Sequence, residues 1–349
     1  MKPALAPYRL GAQRLVGEQL ASPGAVVGHL GAVQSQLPDM ALWAIGRRCG
    51  ATLTEVSAAF ERGDFVRTHV LRPTWHDVLR EDLGDLLAVT GPRIERLTAS
   101  GTLKRFGLTA EDMAKAANLV IEAVAADGPL TRAELGSRLD AAGFPNVNNA
   151  WAHHVMNAEL TGRIHNGPIQ GKQHTYAAAD LPGSGRIEDE RLAWIAETYG
   201  RGHGPFRVKD LAWWTSLTLT QARRAIELAE LASVELNGEI HFTTDPLVEV
   251  DVPRALLLAN FDEFISYARD PEDYTELGGR DWSILMRSTG LLFIDGALAG
   301  SWTRRLRRDD VDVRVETGLP LGRQVRAAIE AEAERYGAFV ERAITLQIN

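Results

Sequence analysis

The segment Gly128-Pro129-Leu130-Thr131-Arg132-Ala133-Glu134-Leu135 is echoed later in the chain by Gly204-Pro205-Phe206-Arg207-Val208-Lys209-Asp210-Leu211. Each copy reads as a loop followed by a helix whose acidic residue and leucine fall in the first turn. A second correspondence follows at equal distance. Glu159-Leu160 precedes Asn166-Gly167 by the same offset that separates Glu230-Leu231 from Asn237-Gly238. Asn-Gly favours the tight turn of a β-hairpin, so each copy is expected to run helix, helix, then a two-stranded ribbon.

Short helices closed by a β-ribbon are the order of a winged helix, and the two copies, 110–185 and 186–248, look related by duplication. In the first of them Gly162-Arg163-Ile164-His165 is read as one strand of the ribbon. Asn166 to Gly171 is read as its turn, and Gln173-His174-Thr175-Tyr176 as the returning strand. Residues 1–109 are expected to form a third unit. Helical stretches fall near 22–33, 39–48 and 53–62, followed by strands Phe65 to Leu71 and Trp75 to Leu79 turning at Arg72-Pro73-Thr74. From 249 to 349 the texture becomes strand-like. Asp295-Gly296 marks a hairpin, Val311 to Val315 alternates apolar and charged residues, and a helix of roughly 320–336 precedes a last strand, Ala343 to Ile348. The fold class expected is α+β: three tandem winged-helix units and a C-terminal β-barrel-like domain. Pro182-Gly183-Ser184-Gly185 reads as a linker.

Hydrophobic residues make up 45% and charged residues 24% of the chain, which places it among ordinary globular proteins. No apolar run approaches a membrane span, and the N-terminus lacks the apolar core of a signal peptide. The single cysteine, Cys49, excludes an internal disulfide framework and a multi-cysteine metal site. A reducing, cytoplasmic and nucleoid-associated location is expected. The formal net charge of −8 counts against nucleic-acid binding as a first guess. Distribution matters more than the sum, because one basic face can sit on an acidic body.

Several dispersed segments, in order, resemble the AlkZ/YcaQ-type winged-helix DNA glycosylases of bacteria. They are Ala32-Val33-Gln34-Ser35-Gln36 with Ala41-Leu42-Trp43-Ala44, then Arg67 to His76, Asn157 to Gly162 and Gly171 to Tyr176. Val208 to Trp214 and Phe261-Asp262-Glu263-Phe264 complete the set. The resemblance covers essentially the whole chain. It implies three winged helices and a β-barrel arranged in a C around a DNA channel. It also implies a monofunctional glycosylase that needs no metal or other cofactor. Its partner would be double-stranded DNA carrying alkylated bases or crosslinks; we expect it to act as a monomer and to bind no membrane. In the AlkZ-like branch a Gln–aliphatic–Gln motif carries catalysis, and in the YcaQ-like branch the second place is aspartate. Gln34 and Gln36 match the former; Ser35 departs from the aliphatic middle position.

The residue types suit one kind of substrate. Residues two apart share a face only on extended backbone, and Pro38 keeps Leu37 out of the helix while starting the helix that follows. An amide cannot deprotonate water. An N7- or N3-alkylated purine, however, departs as a neutral base from a cationic nucleoside, so its leaving group needs no general acid. What remains is to place water and stabilise positive charge on the sugar. A glutamine carbonyl oxygen can accept from that water while its NH₂ donates nearby.

For DNA contact the densest basic cluster is Arg304, Arg305, Arg307 and Arg308, with Lys172 and His174 on the ribbon of the 110–185 unit. The competing reading of the arginines is a solvated run paired with Asp309 and Asp310. His69 and His76 read as core or hydrogen-bonded histidines, Trp213 and Trp214 as core, and Asp262-Glu263 as structural hydrogen-bonding carboxylates. His153-His154 do not read as a metal pair. Arg201, His203, Arg223 and Arg224 are secondary candidates for the channel. Two other function classes stay open on the residues alone: a non-catalytic, regulatory winged-helix DNA-binding protein, and a protein-interaction scaffold.

Overall fold

The computed structural model describes residues 5–171, 173–181, 183–268 and 288–349, with nothing said of the side chains of 97–104 and 106. After α1 (Ala6–Ala12), one order of elements occurs three times. The first run is α2 (Pro23–Leu30), β1 (Val33–Gln34), α3 (Pro38–Cys49), α4 (Leu53–Arg62), β2 (Val66–Val70) and β3 (Thr74–Val78). A long helix, α5 (Arg80–Phe106), leads to the second: α6 (Ala110–Asp127), β4 (Leu130–Thr131), α7 (Arg132–Ala141), α8 (Ala150–Leu160), β5 (Ile164–Gln170) and β6 (Gln173–Ala178). The third is α9 (Glu188–His203), α10 (Val208–Thr215), α11 (Leu219–Leu228), β7 (Ala232–Leu236) and β8 (Glu239–Thr243).

The repeated octapeptide has a structural reason. Its third residue makes a short strand against the returning strand of the hairpin: Leu130 pairs with Tyr176, and Phe206 bridges Phe242. Its acidic residue then caps the helix behind it. Glu134 accepts from the Thr131 backbone N at 2.7 Å, and Asp210 from the Arg207 backbone N at 2.8 Å. In the first run Val33–Gln34 fills the same place against β3, giving the sheet order β1-β3-β2 beside β4-β6-β5. No sequence repeat announced this third copy.

Three expectations change. The helix foreseen near 22–33 ends at Leu30, because Gly31 turns to φ 78° where a Cβ would lie 2.5 Å from Thr198 of α9. Asn166-Gly167 is not a hairpin turn. It lies within β5, where the register against β6 shifts between Asn166 and Ile169, and Asn166 is buried. Asn237-Gly238 does turn, with φ 57° and 76°, between β7 and β8. The C-terminal sheet is a half-barrel, not a barrel. It runs β13-β12-β11-β10-β9, built from β9 (Ala255–Leu258), β10 (Gly290–Ile294), β11 (Ala297–Leu306), β12 (Asp310–Glu316) and β13 (Ala343–Ile348). β9 and β13 form its two edges. The crossover helix α12 (Arg323–Val340) makes β12–β13 parallel and packs on the sheet, so its apolar face has no need of closure.

The first run and the half-barrel share a core. Val26, Leu30, Trp43 and Phe65 pack with Leu257, Trp302, Val313 and Tyr336. Trp43 stands edge-on to Tyr336 at 5.2 Å and donates to the Leu257 carbonyl at 2.9 Å. Burying such a ring favours the fold by about 3–5 kcal/mol over alanine. A second core joins Val66, Val70 and Leu86 to Tyr199, Leu211 and Trp214 of the third run. The connection into the third run is tied down at Ser184, which donates to Asp85 at 2.8 Å, and Arg186 and Arg191 both reach the same carboxylate.

Candidate active site

β1 is only two residues long, yet it fixes how three side chains point. Gln34 faces His76 and Val33 faces Asp77 across β3, and the Ser35 N–H donates to the Trp75 carbonyl at 2.8 Å. Side chains alternate on such a ribbon. Gln34 and His76 therefore share one face, toward the third run, and Ser35, Trp75, Asp77, Arg67 and His69 share the other, toward the second. Gln34 is half-buried, Ser35 buried and Gln36 exposed. Beyond β1 the chain bends at Gln36 and Leu37, and Pro38 starts α3.

On the Gln34 face the backbone N–H of Gln34 donates to Glu263 Oε1 at 2.9 Å. The other oxygen of Glu263 accepts from His203 Nε2 at 3.1 Å and Trp214 Nε1 at 3.2 Å. Burial would raise the Glu263 pKa, but the hydrogen bond from His203 and the nearby Arg72 guanidinium bring it down to about 2. Its neighbour Asp262 takes Arg48 through two bonds of 2.7 and 3.1 Å, both side chains fully buried. Of the paired carboxylates, Glu263 holds the Gln34 backbone and Asp262 holds Arg48. Sequence reasoning gave them a structural hydrogen-bonding role and missed only that Glu263 touches Gln34 itself.

Arg72 leaves the β2–β3 turn and lies over the Trp213 ring at 4.2 Å. It donates to the Trp214 carbonyl at 3.2 Å and to Gln34 Oε1 at 3.3 Å, and stands 3.4 Å from His76 Nε2. The His76 Nδ1 is 3.0 Å from the Thr74 carbonyl, so that nitrogen carries the proton and Nε2 accepts. Burial, then the Arg72 guanidinium, push the His76 pKa down to about 3, leaving the ring neutral. The two tryptophans divide: Trp214 is core, whereas Trp213 is half-exposed beneath Arg72.

On the opposite face Arg67 Nε donates to the Ser35 carbonyl at 3.0 Å and to its Oγ at 3.2 Å. Burial pushes the Asp77 pKa up to about 7, against the pull of Arg67 and a hydrogen bond with Ser35. His69 meets Glu159 of α8 at 2.5 Å.

The remaining candidates scatter. Arg304 is ion-paired with Asp39, in the first turn of α3 and three residues past Gln36, which brings the end of β11 beside the motif. Arg307 pairs with Asp312 at 2.5 Å and lies 3.8 Å from Asp310, and Arg308 lies 4.0 Å from Asp309. Arg305 is exposed. His174 sits against Phe60, its pKa lowered by burial, then by Arg67 and Arg132, to about 4. Lys172 lies outside the described residues. Arg201 donates to the Gly28 carbonyl, Arg224 pairs with Asp189, Arg223 is exposed and His203 is buried under Glu263. Among the described residues no three His, Cys, Asp or Glu side chains are grouped to hold a metal ion, and no helix is long and apolar enough to cross a membrane.

This mixed α+β architecture has a counterpart among solved structures. It superposes over its full length on the whole of the Streptomyces sahachiroi DNA glycosylase AlkZ, with a TM-score of 0.80 at 20% sequence identity. No curated protein sequence matches the chain. Residues 27–339 match the family described as DNA glycosylase AlkZ-like. The chain belongs to the AlkZ-like DNA glycosylase family, and that membership implies glycosylase activity and DNA binding.

Proposed function

We propose that this protein hydrolyses the N-glycosidic bond of N7- and N3-alkylated purines in double-stranded DNA, with Gln36 placing the attacking water and Gln34 orienting it. The observation that carries this reading is the placing of Gln34, whose amide meets Arg72 on the face opposite the buried Ser35. Gln34 is half-buried beside Arg72 and Gln36 is exposed, whereas Ser35 turns into a buried polar network with Arg67. The serine that breaks the Gln–aliphatic–Gln pattern is therefore compatible with the motif's chemistry. Gln34 is oriented, because Arg72 has only N–H donors and must face the amide oxygen. A second lone pair on that oxygen is left for water.

The same groups set the limits of the chemistry. His76 is neutral with its basic nitrogen turned to Arg72, so it is not placed to take a proton from water. Hydrolysis without a strong base suits a substrate whose base leaves unaided, and not an undamaged nucleotide. Gln36 lies at the surface, which accommodates bulky adducts and extends the reaction to unhooking an interstrand crosslink. The threefold order of helices and hairpins is that of tandem winged helices in units 1–109, 110–185 and 186–248, with 249–349 adding the half-barrel; we read them as a C around the duplex. Arg304, Arg305, Arg307 and Arg308 would meet phosphates beside the motif, with Lys172 and His174 contributing from the ribbon of the second unit. We read the enzyme as a monofunctional monomer. Release of N7-methylguanine from a labelled duplex, followed by alkali cleavage, tests the reading. Salt-dependent DNA binding without base release would leave a DNA-binding protein and no enzyme.

A further inference from the structure

Arg67 is an expensive residue to bury. The residue is 5% exposed, and burial lowers its pKa although Asp77 and Glu159 both favour its charge. A guanidinium in such a place is seldom more stabilising than an apolar residue of similar size. What it does make is a set of directed bonds. Nε reaches both the carbonyl and the hydroxyl of Ser35, the middle residue of the glutamine motif. Nη1 donates to Asn166 Oδ1 at 2.5 Å, in the second run, and the cation lies 4.3 Å over the Trp75 ring.

Asn166 is placed for this by the irregularity in β5. The register shift that follows it bends the strand, a device that re-aims side chains, and the buried amide also lies 3.4 Å from Glu159 Oε1. Ser35 is matched in turn. Its hydroxyl accepts from Arg67 and shares a hydrogen bond with Asp77, which an aliphatic residue at this place cannot do.

We propose that Arg67 is a positioning residue that holds the 34–36 segment in place through Ser35 and anchors it on the second unit through Asn166. The effect on catalysis rests on the glutamine reading above. The effect on the segment does not. The geometry of the motif is thereby tied to the docking of the second unit, so that the glutamines are correctly aimed only when that unit is seated.

Backbone hydrogen exchange over 33–37, compared with exchange in α9 as a control for the fold, reads the restraint without reference to activity. Arg67→Lys keeps the charge and loses the Nε bonds; Asn166→Ala leaves the first unit untouched. In both variants we expect exchange over 33–37 to rise about tenfold or more while α9 is unchanged, as in a local opening. Single-turnover release of N7-methylguanine should fall about 10- to 100-fold, the scale of a misplaced catalytic group, with DNA affinity within about twofold of wild type. Wild-type exchange over 33–37 in both variants overturns the proposal, and so does a rise shared equally by α9. If exchange rises as expected but Gln36→Ala leaves base release intact, the restraint stands and the glutamine reading falls.

Discussion

Arg72 and Gln34 face each other across 3.3 Å, guanidinium to amide oxygen, with the Arg72 plane resting on Trp213. The contact sets which end of the amide looks into the site. Arg72→Met removes the donor while keeping most of the side-chain volume. Base release should fall about 10- to 100-fold, as expected for loss of a group that aims a catalytic side chain. Arg72→Lys should recover part of that loss, because a lysine keeps the charge but not the planar fork. Single-turnover kinetics on N7-methylguanine duplex separate the two; equal rates for both variants and wild type would show that Gln34 is oriented by other means.

Two buried carboxylates flank the motif and respond to pH in opposite directions. Glu263, with a pKa near 2 against an ordinary value of about 4.3, favours the fold at neutral pH. Its contribution is lost as pH falls from about 4.5 toward 2. Asp77, raised to about 7, favours the fold in its neutral form, fully below about pH 4, and that contribution is lost as pH rises through 7. Urea titrations between pH 3 and 8 should show Asp77→Asn flattening the decline from pH 4 to 7. Glu263→Gln should lose about 3–5 kcal/mol at neutral pH, where it leaves a buried network unmatched, and less at pH 3. An Asp77→Asn variant with the wild-type slope would mean that this carboxyl is ionised in the fold.

Local signals make part of this fold legible in the sequence. Leu130 and Phe206 were recognisable as equivalent because each is followed by a helix start with an acidic cap. Asn237-Gly238 and Asp295-Gly296 turned as their dipeptides require. Asn166-Gly167 did not, since the same dipeptide is compatible with a bulge and only the pull of Arg67 and Glu159 on the buried amide decides between them. The first run was legible as helices and a hairpin, but β1 was hidden: two residues of strand have no periodicity, and Val33–Gln34 becomes one by pairing with β3. The glutamines were found through a resemblance. Their supports, Glu263 and Arg72, come from residues far apart in the chain, and no spacing in the sequence joins them.

Steric predictions can be read from two glycines. A Cβ at Gly290 would lie 2.2 Å from Nε1 of Trp302, a fully buried ring held by its bond to the Leu258 carbonyl. Gly290→Ala should cost about 1–3 kcal/mol, as overpacking does. At Gly84, within α5, a Cβ meets nothing inside 4 Å, and alanine there should stabilise by about 0.5–1 kcal/mol. Thermal melts of the two variants should move in opposite directions from wild type.

The arginines at the end of β11 differ in what they can give to DNA. Arg304 is mostly buried and engaged with Asp39, whereas Arg305 is exposed. Arg305→Ala should weaken binding to any duplex and make the plot of log affinity against log salt shallower by about one. Fluorescence anisotropy across a salt series measures both; an unchanged slope would remove Arg305 from the interface.

Release of N7-methylguanine by wild-type protein beside Gln36→Ala, on one labelled duplex under single-turnover conditions, bears most directly on the glutamine pair. Wild type should release the base and leave alkali-labile sites, undamaged duplex should stay intact, and Gln36→Ala should be slower by about 100-fold or more with DNA affinity preserved. Equal release by the variant, or none by wild type on this and on a bulky N7 adduct, would contradict the assignment of catalysis to Gln34 and Gln36.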